Sequence, residues 1–130
     1  MRISFDFDST LSQEIIQKLA KILVLANTDV WIVTSRFSDP NVRNYDLHKV
    51  ADEVGIPVEK RIFTNGDYKW RKLQELNVDL HFDDMEDEVY LINKNGGRAL
   101  LVDLDVSLLK YLFDDLIATG ELTPEGKIKR

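Results

Sequence analysis

An α/β fold is predicted for this chain: a three-layer αβα sandwich built on a Rossmann-like, five-stranded parallel sheet. Three observations predict it. Short apolar runs and amphipathic helical stripes alternate along the chain as far as residue 120. None of the runs is joined to the next by a hairpin turn, so the strands are linked by crossovers, which are right-handed. Finally, the first, second and fourth runs end in acids or hydroxyls, and these meet only if those strands are neighbours.

The chain opens with Ile3, Phe5 and Phe7 alternating with Ser4 and Asp6, which is the period of a strand, placed over 2–7. A helix is predicted over 12–26. Ile15, Leu19, Ile22, Leu23 and Ala26 form its buried stripe, Ser12 its N-cap, and Glu14 favours the positive helix end. Val30-Trp31-Ile32-Val33 is a continuous apolar run, as in a strand covered on both faces, and it ends in Thr34-Ser35-Arg36. After a loop over 37–40, a second helix over 41–54 turns Leu47, Val50, Ala51 and Val54 inward; Gly55 and Pro57 stop it.

Arg61-Ile62-Phe63-Thr64 is a short third strand. Asn65-Gly66 has turn chemistry, and Asp67 is expected to cap a helix that reaches Leu76 and buries Trp70, Leu73 and Leu76. The fourth strand, over 78–82, ends in Asp83-Asp84. A helix over 85–93 buries Met85, Val89 and Ile92, and Asn95-Gly96-Gly97 closes it. Ala99-Leu100-Leu101-Val102 is the fifth strand. A last helix over 106–119 carries Leu108, Leu109, Leu112, Phe113, Leu116 and Ile117, and Gly120 ends it. Placing the first strand between the second and the fourth gives the order 3-2-1-4-5. Its switch point lies at strand one, the edge where open α/β sheets bind ligands.

The length suits one domain with a single core, assigned to 1–120, followed by a polar tail over 121–130 that ends in Lys127-Ile128-Lys129-Arg130. Hydrophobic residues make up 44% of the chain, and no apolar run approaches the roughly 20 residues a spanning helix needs, so no membrane partner is expected. The first strand begins at once, leaving no room for a signal peptide. Cysteine is absent, which excludes disulfides, thiolate catalysis and zinc–sulfur sites. A cytoplasmic location is expected. The formal charge of -6 argues against a broad grip on a phosphate backbone, though not against a nucleotide or a nucleic-acid end.

Phe5-Asp6-Phe7-Asp8-Ser9-Thr10 organises the chain. Asp6 and Asp8 lie two residues apart, with the Thr10 hydroxyl two further on. One carboxylate can attack while the other donates a proton, and two like charges this close need a cation or a proton between them. Alone, the pair reads as a charged turn. Its context changes that. FDFDST, then WIVTSR, then a lysine, then LHFDD stand in this order at predicted strand ends. Together they resemble the four motifs of the haloacid dehalogenase-like superfamily of phosphohydrolases, over most of the chain.

The resemblance implies a Mg²⁺-dependent phosphatase acting through an aspartyl-phosphate. Asp6 would be the nucleophile and Asp8 the general acid and base. Thr34 would hydrogen-bond a phosphoryl oxygen, and Lys69 would put a positive charge beside it. Asp6, Asp8 through its backbone carbonyl, Asp83 and Asp84 would supply oxygen ligands to Mg²⁺. Thr10, Ser35 and Arg36 would bind substrate. Lys60 and Lys72 compete for the lysine role; Lys69 is preferred because it begins the helix one unit before the Asp83-Asp84 strand.

Blander alternatives stand beside several of these. Thr34 can simply cap a loop, and Arg36 can form a surface salt bridge. Asp87 and Glu88 can be a solvated helix start, with Asp87 otherwise supporting the metal site. His81, facing away from Leu80 and Phe82, is expected to pack against a helix. His48 is expected on a helix surface, and Asp103 and Asp105 in a helix-entry loop.

Ser9 departs from the family pattern, standing where Gly is common. The intervals between the motifs hold one helix and one strand each, too little for a cap domain. Capless members leave the site open, which implies a large substrate or a partner chain, such as a second copy in a homo-oligomer, over it. Analogy with small capless members makes nucleotides and nucleic-acid ends the expected substrates. Asp8 disfavours the dehalogenase branch. The alternative is a non-catalytic or regulatory domain that binds phosphate or metal. A receiver-type regulator would need an acceptor Asp at the end of strand three, where this chain has Thr64.

Overall fold

The computed structural model describes residues 1–39 and 41–102, and beyond them Asp114 and Ala118. The strands are β1 (Arg2–Phe5), β2 (Asp29–Thr34), β3 (Arg61–Phe63), β4 (Leu80–Asp83) and β5 (Ala99–Leu101); the helices between them are α1 (Glu14–Leu25), α2 (Tyr45–Val54), α3 (Trp70–Glu75) and α4 (Glu86–Lys94). Every pairing is parallel and the order is β3-β2-β1-β4-β5, as the strand-end chemistry predicts. Among the described residues, no helix is long and apolar enough to cross a membrane.

The period of two in β1 sorts its residues onto two different cores. Ile3, Phe5 and Phe7 pack with Leu11, Ile15, Ile16 and Ala20, and with Leu47, Ala51 and Val54 of α2. Phe5 and Ile32 are fully buried, each worth about 1.5–3 kcal/mol of apolar transfer. Phe5 also stacks on Phe82 of β4, with ring centroids 5.0 Å apart. The other core is smaller: Val33, Leu73, Ile92 and Ala99. Ser4, Asp6, His81 and Asp83 are buried too, at the alternate positions of β1 and β4. The polar residues of the site therefore come from the sheet face that has the thinner apolar layer.

Several boundaries differ from expectation. β1 stops at Phe5. Asp6 N–H makes the last bond to β4, at Phe82 O, and the chain then enters a wide turn over Phe7–Leu11 closed by Leu11 N–H to Asp6 O and Ser12 N–H to Phe7 O. Ser9 adopts the left-handed conformation there, with φ +56°, which is why Gly suits this position. Ser12 does not cap α1; its hydroxyl accepts the Ser9 N–H instead. Ala26 is exposed, beyond the end of α1. Helix α2 starts at Tyr45 rather than residue 41. Asp67 does not cap α3, and Met85 is 51% exposed while Glu88, four residues before Ile92, takes the inward position. The last predicted helix, apart from Asp114 and Ala118, and the polar tail lie outside the described residues.

Candidate functional site

The carboxyl ends of the strands border an open cleft of about 490 Å³, lined by Asp6, Asp8, Ser35, Lys69, Asp84 and Glu88 among others. Lys69 is its centre. The turn after β3 delivers it: Asn65 N–H bonds Arg36 O, Gly66 N–H bonds Ser35 O, and the Thr64 hydroxyl donates to Asp67 O. Gly66 has φ +87°, which favours glycine, and a Cβ there would meet the Phe37 ring at 3.1 Å, so that ring would have to shift for any side chain. The chain then dives inward, leaving Lys69 only 1% exposed.

The Lys69 ammonium lies 2.5 Å from Asp83 Oδ2, 2.9 Å from Asp6 Oδ1 and 3.6 Å from Glu88 Oε2. Its backbone N–H also donates to Glu88 Oε1. Asp83 is held from below as well. His81 Nε2 lies 2.8 Å from the same Oδ2, Ser4 Oγ lies 2.6 Å from His81 Nδ1, and the Met85 N–H donates to Oδ1. A ring that donates from Nε2 accepts at Nδ1, so the Ser4 hydroxyl donates to it.

The carboxylates of the cluster outnumber its one lysine, so a proton or a further cation must offset the excess. One lysine faces Asp6, Asp83, Asp84 and Glu88. Burial raises Asp83, but the bonds from His81 and Lys69 outweigh it and hold the carboxyl below the usual range. Burial likewise lowers Lys69, and the Asp6 and Asp83 carboxylates outweigh that to keep it protonated. Burial pushes Asp6 up to about 8, against the Lys69 charge and with help from Asp83. Burial also raises Glu88 and lowers His81, so the imidazole is neutral. Without a metal, burial therefore favours a proton on the Asp6 side of the cluster.

Asp6, Asp83 and Asp84 offer carboxylate oxygens that all lie within 4.8 Å of one another. An all-oxygen set with unneutralised charge fits a hard divalent cation such as Mg²⁺. Asp6 and Asp84 reach the cleft wall, whereas both oxygens of Asp83 already accept protein hydrogen bonds.

Asp8 is exposed and lines the cleft. Arg36 grips it with Nε and Nη2 at 2.9 and 2.7 Å. The same guanidinium grips Asp46 of α2 with Nη1 and Nη2 at 2.7 and 2.9 Å, lowering Asp46 to about 2, and lies over the Phe7 ring at 4.8 Å. Both edges of Arg36 are occupied. The salt-bridge alternative describes it, and it reaches the site through Asp8 rather than as a free phosphate ligand.

The remaining expected residues divide. Ser35 lines the cleft. Thr34 ends β2 fully buried, with its hydroxyl accepting the Arg36 N–H at 3.2 Å, so it fixes the turn that presents Ser35. Thr10 is also fully buried, and its hydroxyl makes no hydrogen bond among the described residues; it supports the turn from inside instead of lining the cleft. Lys60 pairs with Asp29 and Lys72 with Glu75, leaving Lys69 as the lysine of the cluster.

Ser4, His81 and Glu88 belong to the site without having been singled out for it. Period two places Ser4 with Asp6 and His81 with Asp83, and the i, i+4 relation places Glu88 with Ile92 on the buried stripe of α4. Neither a family model nor a curated protein sequence matches the chain.

Proposed function

We propose that the chain is a phosphomonoester hydrolase of the haloacid dehalogenase-like type, with Asp6 as nucleophile. The observation that carries this is the buried Lys69 ammonium, 2.9 Å from Asp6 Oδ1 in a cluster whose carboxylates outnumber it. Asp6 and Asp84, with Asp83 behind them, would hold Mg²⁺, joined by the Asp8 carbonyl if the family resemblance holds there; the ion when bound screens the negative charge of a phosphate ester.

The chain's own groups do the rest. Lys69 holds the Asp6 carboxylate in place and offers charge to the phosphoryl oxygens. A carboxylate oxygen of Asp6 attacks phosphorus, the bond from phosphorus to the ester oxygen breaks, and Asp8 gives that oxygen its proton. Asp8 then takes a proton from water as the water attacks phosphorus. The bond to Asp6 breaks, and inorganic phosphate leaves. Ser35 and the turn that Thr34 anchors border the phosphoryl oxygens. Ser4 and His81 keep Asp83 aligned under Lys69.

The test is a screen of phosphate esters with and without Mg²⁺, followed by Asp6→Asn and Asp8→Asn. Asp6→Asn should abolish turnover. With an activated ester, whose leaving group needs little protonation, Asp8→Asn should give a burst without sustained turnover, and added mass on the Asp6 peptide. Near-normal turnover by Asp6→Asn would overturn the proposal.

One observation favours a second reading, a regulatory domain that binds phosphate or metal without turning over: Arg36 already engages both carboxylate oxygens of Asp8, so neither reaches a leaving group unless that pair breaks. Mg²⁺ and phosphate binding without hydrolysis of any ester would select it.

A further inference from the structure

We infer that a groove beside the cleft is the seat of an aromatic base, and that the phosphate ester taken by this chain is a nucleoside monophosphate. The inference rests on the phosphate cleft proposed above and adds to it the class of leaving group.

The groove holds about 490 Å³ and runs along the α3 side of β3. It shares two wall residues with the cleft, Asp67 and Tyr68, so the two lie side by side, within reach of one ligand whose phosphorus lies at Asp6. Three aromatic rings line it within eight residues of sequence: Phe63 at the end of β3, Tyr68 in the turn and Trp70 at the start of α3. Tyr68 is the one at the junction, and at 54% exposure it contributes little packing to the fold. Its neighbour Lys69 is buried in the carboxylate cluster. Consecutive residues thus serve the phosphate cleft and the groove.

The charges of the groove point to a flat neutral group rather than a second phosphate. Lys72 is tied to Glu75 at 3.0 Å. The Arg71 guanidinium lies over the Trp70 ring at 4.9 Å, a stacked plane rather than a free anion clamp. Asp67 and Glu75 add negative charge to the walls. Two acids and two engaged bases leave the wall no net positive charge to hold a polyphosphate, and an unadorned sugar gains little from aromatic faces. A nucleobase gains stacking from the rings and a cation–π contact from the guanidinium. The negative charge of the whole chain, -6, disfavours a long strand and leaves the mononucleotide.

The experiment compares adenosine 5′-monophosphate and adenosine 3′-monophosphate with ribose 5-phosphate, in Mg²⁺, for the wild type, Tyr68→Ala and Tyr68→Phe. Wild type should prefer at least one adenosine ester. In Tyr68→Ala the ratio of kcat/KM for that ester over ribose 5-phosphate should fall about 5- to 150-fold, the range one lost base stack implies. Tyr68→Phe should keep the ratio. Binding of the same ligands to Asp6→Asn, followed by tryptophan fluorescence, should show the same dependence on Tyr68.

The outcomes separate the two proposals. Hydrolysis of ribose 5-phosphate with no preference for either adenosine ester, or a ratio unmoved by Tyr68→Ala, overturns the base site and leaves the phosphatase standing. Tyr68-dependent binding of adenosine monophosphate with no hydrolysis of any ester supports the base site and removes the phosphatase.

Discussion

Lys69→Met tests the cluster most directly. Methionine keeps the unbranched stem, so packing changes little and the lost quantity is the charge. That charge lies between Asp83 at 2.5 Å and Asp6 at 2.9 Å, in a residue 1% exposed. Removing one member of a buried pair costs about 3–5 kcal/mol, because its partners stay behind uncompensated. For a domain of this size that is a fall in Tm of about 10–20 °C. Protonation offsets part of the loss. In the variant the carboxylates lose the partner that favours their charged form, so they hold protons to higher pH in the folded state than unfolded. The penalty is therefore small in mild acid and grows as pH rises. The assay is thermal unfolding with chelator at about pH 5 and about pH 8, then with millimolar Mg²⁺. The variant should lose more at the higher pH and regain more from Mg²⁺ than wild type does. A loss below about 1 kcal/mol at the higher pH, or an equal loss at both, would refute a charge-compensated cluster.

Three further outcomes follow from the same geometry. Asp6, ordinarily near 3.8 and held at about 8 in the metal-free fold, keeps a proton that the unfolded chain has released, so stability should fall as pH rises from about 4 to about 8. Mg²⁺ must displace that proton, so its affinity should rise over the same range, with a proton release measurable by calorimetry in buffers of different ionisation heat. His81→Phe leaves the Ser4 hydroxyl and Asp83 Oδ2 each short of a buried partner, and should cost about 1–3 kcal/mol in urea unfolding; a cost of a few tenths would argue that the column beneath Lys69 is not needed. Gly66→Ala forces a side chain into a φ of +87° and against the Phe37 ring, and should cost about 1–2 kcal/mol or more while disturbing Lys69 and Tyr68 together; a variant with unchanged melting would show that the turn tolerates a Cβ.

The strand order was legible because three strand ends carried chemistry that only one arrangement brings together. The boundaries were less so. Alternation from Ile3 to Phe7 reads as one strand, but strand length is set by available partners, and the ladder to β4 ends at Asp6. Residues 41–44 looked helical by position, yet side chains there satisfy loop backbone: Asp39 accepts the Asn41 N–H and Asn44 donates to Phe37 O. Such bonds compete with the helix and delay it to Tyr45. Asp67 failed as a cap because the Thr64 hydroxyl takes its carbonyl into the turn. Arg36 was legible as a charge near the site but not as a partner of Asp8, since its second anchor, Asp46, comes from a helix that only the tertiary fold brings back.

The same distinction explains why the site's acids were readable and its supports were not. Asp6, Asp8, Asp83 and Asp84 stand at strand ends, where a sequence pattern has few innocent explanations for them. Ser4 and His81 stand inside strands, where a polar residue has many. What gives them meaning is the pairing of β1 with β4, which sets Ser4 against His81 in register. A buried hydroxyl and imidazole cost free energy unless each finds a partner, and here each does, ending at an Asp83 oxygen shared with Lys69. The column is satisfied from Ser4 up to Lys69 and unsatisfied only at its top, where Asp6 and Asp84 face the cleft with more negative charge than one lysine offsets. Under the proposed function, that open edge is where Mg²⁺ would supply the missing positive charge, in place of the proton that burial favours on Asp6.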